Sequence, residues 1–120
     1  MHRIMIAEDS REIVMFLRDV LEIAKYELVA QAFDGQDAIE KFRDTSPDLL
    51  LLDFAMPKKD GLSVLNEIMR INPKAKVILI TASGNLKAIQ ECIQAGASMY
   101  LLKPFKMEEL IQAIKTALST

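Results

Sequence analysis

The chain has few of the residues on which disulfide-rich and metal-clustered proteins are built. Its 120 residues include one cysteine, one histidine and no tryptophan. A single cysteine excludes an internal disulfide, and without a Cys/His cluster nothing indicates a zinc site. Cys92 lies on the apolar stripe of a predicted helix, a position typical of a small buried hydrophobic side chain rather than a nucleophile. Thiol and zinc chemistry are therefore not expected.

The chain also lacks a strong charge of either sign and long hydrophobic runs. A net charge of −2 provides no bulk electrostatic attraction to nucleic acids or anionic membranes. No apolar run reaches transmembrane length, and Met1 leads into a short apolar strand without the cleavage pattern of a signal peptide. We therefore expect a cytoplasmic protein that binds neither membranes nor, directly, nucleic acids.

The feature that organises the rest is a run of four leucines, Leu49 to Leu52, which Asp53 ends. A strand without two-residue alternation is buried on both faces, as in the middle of a parallel sheet. A carboxylate at the end of such a strand is costly unless it has a partner or a function. Asp53 is therefore either a loop-capping acceptor for backbone N–H groups or a functional carboxylate.

Strand-like and helix-like segments alternate along the whole chain. The predicted strands are 3–7, 27–33, the leucine strand, 76–80 and 98–102. The positions predicted to face inward in the five intervening helices are Ile13, Phe16, Leu17, Val20, Leu21 and Ala24; Ala38, Ile39 and Phe42; Val64, Leu65, Ile68 and Met69; Leu86, Ile89, Cys92 and Ile93; and Met107, Leu110, Ile111, Ile114 and Leu118. This alternation, with no linker or repeat, predicts one α/β domain over residues 1–120, with a parallel sheet and right-handed crossovers.

Polar residues follow four of the five predicted strands, directly after the apolar run. They are Glu8-Asp9, Asp53, Thr81 and Lys103. The carboxyl ends of parallel strands meet at one edge, where ligands bind, so these side chains should converge. Three carboxylates at close range repel one another, and a divalent cation such as Mg²⁺ resolves the repulsion. With no His or Cys at this edge, Asp53 is the candidate nucleophile for a phosphoryl group, whose donor this reasoning does not identify.

The order and spacing of these residues along the chain resemble those of the receiver domains of two-component response regulators, and the resemblance covers all 120 residues. The matching motifs are Glu8-Asp9, Asp53 with Met56-Pro57 and Asp60-Gly61, Thr81-Ala82, Ala95-Gly96-Ala97 and Lys103-Pro104-Phe105. The resemblance, which is to single-domain regulators of the chemotaxis type, implies a doubly wound, flavodoxin-like fold. Its five-stranded parallel sheet would have the order 2-1-3-4-5 and be flanked by five helices.

The resemblance also implies the roles of the acidic residues. Asp53 would accept a phosphoryl group from a sensor histidine kinase or a histidine phosphotransfer protein. Asp9 would bind Mg²⁺ directly and Glu8 through water, with Asp53 and the backbone carbonyl of Ala55 as further ligands. The protein would thus be a phosphoacceptor that assists its own phosphorylation and dephosphorylation, rather than an enzyme acting on other substrates.

The remaining roles carried over from the family concern the response to phosphorylation. Lys103 would pair with the phosphoryl group, and the Lys103-Pro104 peptide bond would be cis. Thr81 would hydrogen-bond the phosphoryl group and move toward it, and Tyr100 would rotate inward behind it. Ala55 and Ser83 depart from the polar or larger residues that many relatives carry beside the path of the hydrolytic water, so the lifetime of the phosphate does not follow from the family.

Several functions fit this family. A stand-alone switch would bind a downstream protein through the fourth helix, fifth strand and fifth helix, where the predicted exposed residues are Lys87, Gln90, Glu91, Gln94 and Lys106. Alternatives are a phosphorelay intermediate and the receiver part of a longer DNA-binding regulator. A flavodoxin-like cofactor binder would need a Gly/Ser/Thr-rich loop where Glu8-Asp9 stands. A phosphatase of similar topology would normally place its nucleophile earlier in the chain.

Overall fold

The computed structural model describes residues 1–82 and 84–120. Ser83, expected beside the path of the hydrolytic water, lies outside the described residues. Strands and helices alternate as predicted, in the order β1 (Arg3–Ala7), α1 (Arg11–Ile23), β2 (Glu27–Ala32), α2 (Gly35–Thr45), β3 (Leu49–Asp53), α3 (Gly61–Ile71), β4 (Val77–Ala82), α4 (Leu86–Gln94), β5 (Met99–Lys103) and α5 (Met107–Leu118).

The five strands form one parallel sheet in the order β2-β1-β3-β4-β5. This confirms the predicted doubly wound fold. The strand that follows β1 in the chain lies on one side of it, and β3 lies on the other. The connections diverge at this point and leave a crevice at the carboxyl ends of β1 and β3, where such sheets bind ligands.

The leucine run is the centre of the core, and its side chains divide between the two faces of the sheet. Leu50 and Leu52 pack in the cluster that includes residues of α2, α3 and α4. Leu49 and Leu51 pack in the opposite cluster, with residues of α1 and α5. All four are fully buried, as expected for a strand covered on both faces.

Three residues predicted to face inward are exposed instead. The exposed fraction is 38% for Phe16, 70% for Leu86 and 41% for Ile93. In α1, Val14 is buried, so the buried stripe is rotated from the predicted one. In α4 the buried residues are Ala88, Ile89 and Cys92. The apolar arc of each helix is wider than the surface that the sheet covers, and the residues at its margin remain exposed.

The last two strands extend further than their apolar runs. Thr81 and Ala82 belong to β4 and Lys103 belongs to β5, with Thr81 paired to Leu102 and Ala82 paired to Lys103. Thr81 and Lys103 are therefore fixed by the strand ladder rather than carried on loops. Among the helices of the described residues, none has the length and apolar character needed to cross a membrane.

Candidate functional site

The three acidic residues meet at the carboxyl ends of β1 and β3. Glu8 and Asp9 follow β1, Asp53 is the last residue of β3, and one carboxylate oxygen from each lies within 4.8 Å of the other two. Glu8 and Asp53 are almost inaccessible, at 1% and 2% exposure, whereas Asp9 is exposed. The predicted acidic cluster therefore consists of two buried carboxylates and one that faces solvent.

Lys103 reaches this cluster from the end of β5. Its Nζ lies 3.0 Å from Asp53 Oδ1 and 3.3 Å from Glu8 Oε1. Burial lowers the pKa of Lys103, but the hydrogen bond with Asp53 and the charges of both carboxylates outweigh it, so that this pKa lies above its usual value. The lysine is thus held as a cation. The Lys103-Pro104 peptide bond after it is cis, as predicted.

The position of Glu8 is electrostatically costly. Burial raises the pKa of Glu8 from 4.5 to about 7. The hydrogen bond from the Ser10 N–H lowers this pKa in part, and the negative charge of Asp53 raises it further. Glu8 Oε2 accepts the Ser10 N–H at 3.1 Å. Glu8 Oε1 is buried, and among the described residues no donor is aligned to hydrogen-bond with it, although Lys103 lies within ion-pair distance.

This donor set suits a hard divalent cation. Three carboxylates face one ammonium group, so ionisation of all of them leaves two negative charges uncompensated. Carboxylate oxygens that leave room for water and phosphate oxygens are the ligands Mg²⁺ prefers. The unsatisfied Glu8 oxygen and its raised pKa are what a site built for an added positive charge would show.

Thr81 and Tyr100 lie on the two neighbouring strands at the far side of the site. Thr81 is buried, and it pairs with Leu102, two residues after Tyr100. Since alternate residues of a strand share a face, Tyr100, Leu102 and Thr81 lie on the same face of the sheet. Tyr100 is 47% exposed. The structure therefore places an exposed aromatic ring diagonally across the ladder from the buried hydroxyl.

A groove beside Lys103 was not predicted from the sequence. It has a volume of about 470 Å³ and is lined by Glu12, Ile13, Phe16, Lys103, Pro104 and Phe105. The rings of Phe16 and Phe105 lie 5.9 Å apart. The signal in the sequence was Phe105, which directly follows Lys103-Pro104, but the helical pattern had assigned Phe16 to the core.

Known sequences identify the family to which this arrangement belongs. The sequence model of the response regulator receiver domain matches residues 4–115. The chain belongs to the response regulator receiver family. Receiver domains are signalling proteins, and their general function is that of a phosphoryl-accepting switch.

Relatives of two kinds resemble this receiver domain. The chemotaxis protein CheY of Bacillus subtilis is 37% identical over 118 residues, which are 98% of each chain. The transcriptional regulatory protein PdtaR of Mycobacterium tuberculosis is 40% identical over 119 residues, which are 98% of this chain and 57% of PdtaR. A crystal structure of the CheX–CheY–BeF3–Mg²⁺ complex from Borrelia burgdorferi aligns with a TM-score of 0.92 at 28% identity, covering 96% of this chain and 87% of the solved one.

Proposed function

We propose that residues 1–120 form one receiver domain that accepts a phosphoryl group on Asp53 in a Mg²⁺-dependent reaction. The donor is a sensor histidine kinase or a histidine phosphotransfer protein, and phosphorylation alters the binding of a downstream protein. The observation that carries this proposal is a carboxylate, Asp53, buried at the end of the central strand, beside the cation of Lys103 and two further carboxylates.

In the transfer step, a carboxylate oxygen of Asp53 attacks phosphorus. A P–O bond to Asp53 forms while the P–N bond of the phosphohistidine breaks, and the histidine nitrogen keeps the electron pair. Lys103, 3.0 Å from Asp53 Oδ1, pairs with the oxygens of the arriving phosphoryl group. Thr81 donates its hydroxyl to another of these oxygens. The site supplies no base, because a carboxylate nucleophile has no proton to lose.

The protein ligands of Mg²⁺ in this proposal are Asp9, Asp53 and the carbonyl of Ala55, with Glu8 acting through water. The ion supplies positive charge that offsets the phosphoryl oxygens and the carboxylates during transfer. Two features support this assignment. Asp9 is exposed, so a hydrated ion can reach its carboxylate. The buried Glu8 oxygen has no aligned donor among the described residues. The CheY of the Borrelia complex was crystallised with Mg²⁺ and BeF3.

The phosphoryl group is read out through Thr81 and Tyr100. When Thr81 moves toward the phosphoryl group, it vacates space on the face of the sheet that it shares with Tyr100. The ring then turns from its exposed position into that space, which is a shift between two existing populations. Burial of the ring gains apolar contact while its hydroxyl finds a partner.

The downstream protein binds the α4–β5–α5 face, which we define by two sets of residues. The polar set is the predicted one, Lys87, Gln90, Glu91, Gln94 and Lys106. The apolar set is Leu86, Ile93, Tyr100 and Leu102, all of them exposed. Exposed apolar side chains on two consecutive elements of the chain support a protein-binding role for this face.

The similarity to CheY over both full chains favours a chemotaxis-type switch in the cytoplasm. The similarity to PdtaR supports the alternative, in which this receiver domain serves a transcriptional regulator. A phosphorelay intermediate would use the same acceptor site and would differ only in passing the phosphoryl group to a second histidine protein.

Labelling with a small phosphodonor tests the acceptor. Incubation with acetyl phosphate and Mg²⁺ should add one phosphoryl group, detected by intact-mass spectrometry and lost at alkaline pH. Asp53→Asn should abolish the label, whereas Asp44→Asn, a change at an exposed residue of α2, should leave it unchanged. Labelling of the Asp53→Asn protein at the parental rate would show that the acceptor lies elsewhere.

A further inference from the structure

The loop between β3 and α3 contains a strained turn. Lys58 has a φ of 71°, in the left-handed region that a lysine rarely adopts. The Lys59 N–H donates to the Pro57 carbonyl at 2.8 Å, so residues 57–59 form a γ-turn with Lys58 at its centre. A γ-turn with a positive central φ is rare, and it persists only where the surroundings hold it.

The amino terminus of α2 provides that support. The Gly35 N–H donates to the same Pro57 carbonyl at 3.1 Å. A Cβ on Gly35 would overlap the Lys59 carbonyl oxygen and lie 2.9 Å from Val64 Cγ2. The φ of Gly35 is not positive, so this position needs glycine for the close approach of two backbones rather than for an unusual conformation.

Asp34, the residue before this glycine, contacts the same turn. Its Oδ1 accepts the Asp37 N–H at 2.8 Å, which caps α2, and its Oδ2 lies 3.5 Å from Lys58 Nζ. The Asp37 N–H and, after it, the Lys58 charge hold the pKa of Asp34 below its usual range. An ion pair this exposed contributes little by itself, so the backbone contact of Gly35 is the main restraint.

Ala55 lies between two fixed points of this loop. On one side, the Phe54 carbonyl accepts the Gly61 N–H at 2.7 Å, and the Phe54 N–H donates to Ile80 at 2.9 Å. On the other side is the Pro57 carbonyl, held by Gly35. The segment that carries the Ala55 carbonyl is therefore tied at one end to the sheet and at the other to α2.

We propose that Gly35, assisted by Asp34, is a positioning residue for the metal site. It stabilises the γ-turn at Lys58 and so orients the Ala55 carbonyl toward the cation, although neither Gly35 nor Asp34 contacts the metal or the phosphoryl group. This inference rests on the proposed function, in which that carbonyl is a Mg²⁺ ligand. Because Mg²⁺ tolerates little departure from octahedral geometry, a loosened loop should weaken its binding.

Two substitutions at Lys58 isolate the backbone conformation. Both remove the ion pair with Asp34, but glycine adopts a φ of 71° without strain, whereas proline is fixed near −65°. Mg²⁺ titrations of the whole protein, followed by NMR shifts of the Ala55 and Asp9 amides, should show about tenfold weaker binding for Lys58→Pro. Lys58→Gly should bind with the parental Kd.

Gly35→Ala should also weaken Mg²⁺ binding about tenfold, the usual effect of losing an outer-shell support. Ile39→Val, a core change in the same helix, is the control for a general loss of stability and should leave the Kd unchanged. If Gly35→Ala does not fold, the Lys58 pair carries the test. The inference is overturned if the parent binds Mg²⁺ and either Lys58→Pro or a folded Gly35→Ala binds it equally well. Absence of Mg²⁺ binding by the parent would overturn the proposed function and this inference together.

Discussion

The proposed acceptor site buries polar side chains, whereas the α4–β5–α5 face exposes apolar ones. At the site, Glu8, Asp53 and Thr81 are buried. On the face, Leu86, Ile93, Tyr100 and Leu102 are exposed. Burying a charge and exposing apolar surface both cost free energy. A bound cation would offset the first cost, and a protein partner would offset the second.

The two regions are also adjacent, because β5 carries residues of both and pairs with β4, which carries Thr81. Thr81 of the site pairs with Leu102 of the face, and Ala82 pairs with Lys103. A displacement at Thr81 therefore meets the exposed residues of β5 within one strand spacing. A phosphoryl group at Thr81 and a partner protein at Leu102 would therefore act on two directly paired strands, and no long pathway would be needed to couple them.

The largest expected effect is on the free energy of unfolding, and it shows which apolar residues of α4 belong to the core. Ile89 is buried and Ile93 is 41% exposed. Ile89→Ala should lower the free energy of unfolding by about 3 kcal/mol, whereas Ile93→Ala should change it by less than about 0.5 kcal/mol. Urea unfolding of the two variants measures both. Equal losses would mean that Ile93 belongs to the core and that the α4–β5–α5 face is smaller than described.

Sequence reasoning predicted the fold well because its strongest signals were long and mutually consistent. Four leucines without alternation, in a run too short for a helix, indicate a strand covered on both faces. Polar residues after four such strands are then expected to converge at one edge of a parallel sheet. The exposure of Ile93 was missed because periodicity gives the direction of an apolar arc. It does not give the width of the surface that covers the arc, which depends on where the helix lies over the sheet.

The contact between the start of α2 and the loop after β3 could not have been predicted either. In the sequence, Asp34-Gly35 is typical of a turn that begins a helix, and Lys58 is an ordinary loop residue. Their contact joins segments that are distant in the chain and depends on how α2 and α3 pack. The pairing of Lys103 with Glu8 was likewise invisible, because convergence at an edge does not show which oxygen each cation contacts.

The next prediction compares how much Asp9 and Glu8 each contribute to the rate of phosphorylation. Asp9→Ala should slow Mg²⁺-dependent phosphorylation by about 100-fold, because Asp9 is the proposed direct ligand. Glu8→Ala should slow it by about tenfold, because the proposed contact of Glu8 with the ion is through water. Initial labelling rates with acetyl phosphate give both values, and Asp19→Ala, on the exposed surface of α1, is the control. Parental rates in both variants would contradict the proposed metal site.

The burial of Glu8 should also make the metal-free protein less stable as the pH rises. Its pKa is raised from 4.5 to about 7, so between these values the folded protein binds more protons than the unfolded chain. Stability is therefore greatest below pH 4.5 with respect to this group, and it is lost as the pH rises through about 7. The loss should be on the order of 3 kcal/mol.

Urea unfolding in EDTA at pH values across this range measures the effect. Glu8→Gln removes the titrating group and should flatten the dependence, leaving only the contribution of other residues. If the slope is the same in Glu8→Gln and the parent, Glu8 is not the buried charge that makes the site unstable without a cation.

The smallest effect, and the one that joins the two regions, is the coupling of Thr81 to Tyr100. Addition of Mg²⁺ and beryllofluoride, a mimic of the phosphoryl group, should reduce the exposure of the Tyr100 ring. Tyr26, the other of the two tyrosines, lies on the far side of the sheet near His2 and serves as an internal reference. The exposure of each tyrosine ring can be measured by NMR, as the broadening of its ring signals by a soluble paramagnetic probe.

Thr81→Ala should still bind beryllofluoride, but the ratio of buried to exposed Tyr100 should rise a few-fold less than in the parent. Coupling free energies are typically about 1–3 kcal/mol, and the lost hydrogen bond carries part of that. Thr81→Ser keeps the hydroxyl and should behave as the parent. A full shift of Tyr100 in Thr81→Ala would mean that the ring responds to the phosphoryl group by another route, through Lys103 and its own strand. The buried polar site and the exposed apolar face would then be neighbours coupled along β5 rather than across the ladder from β4.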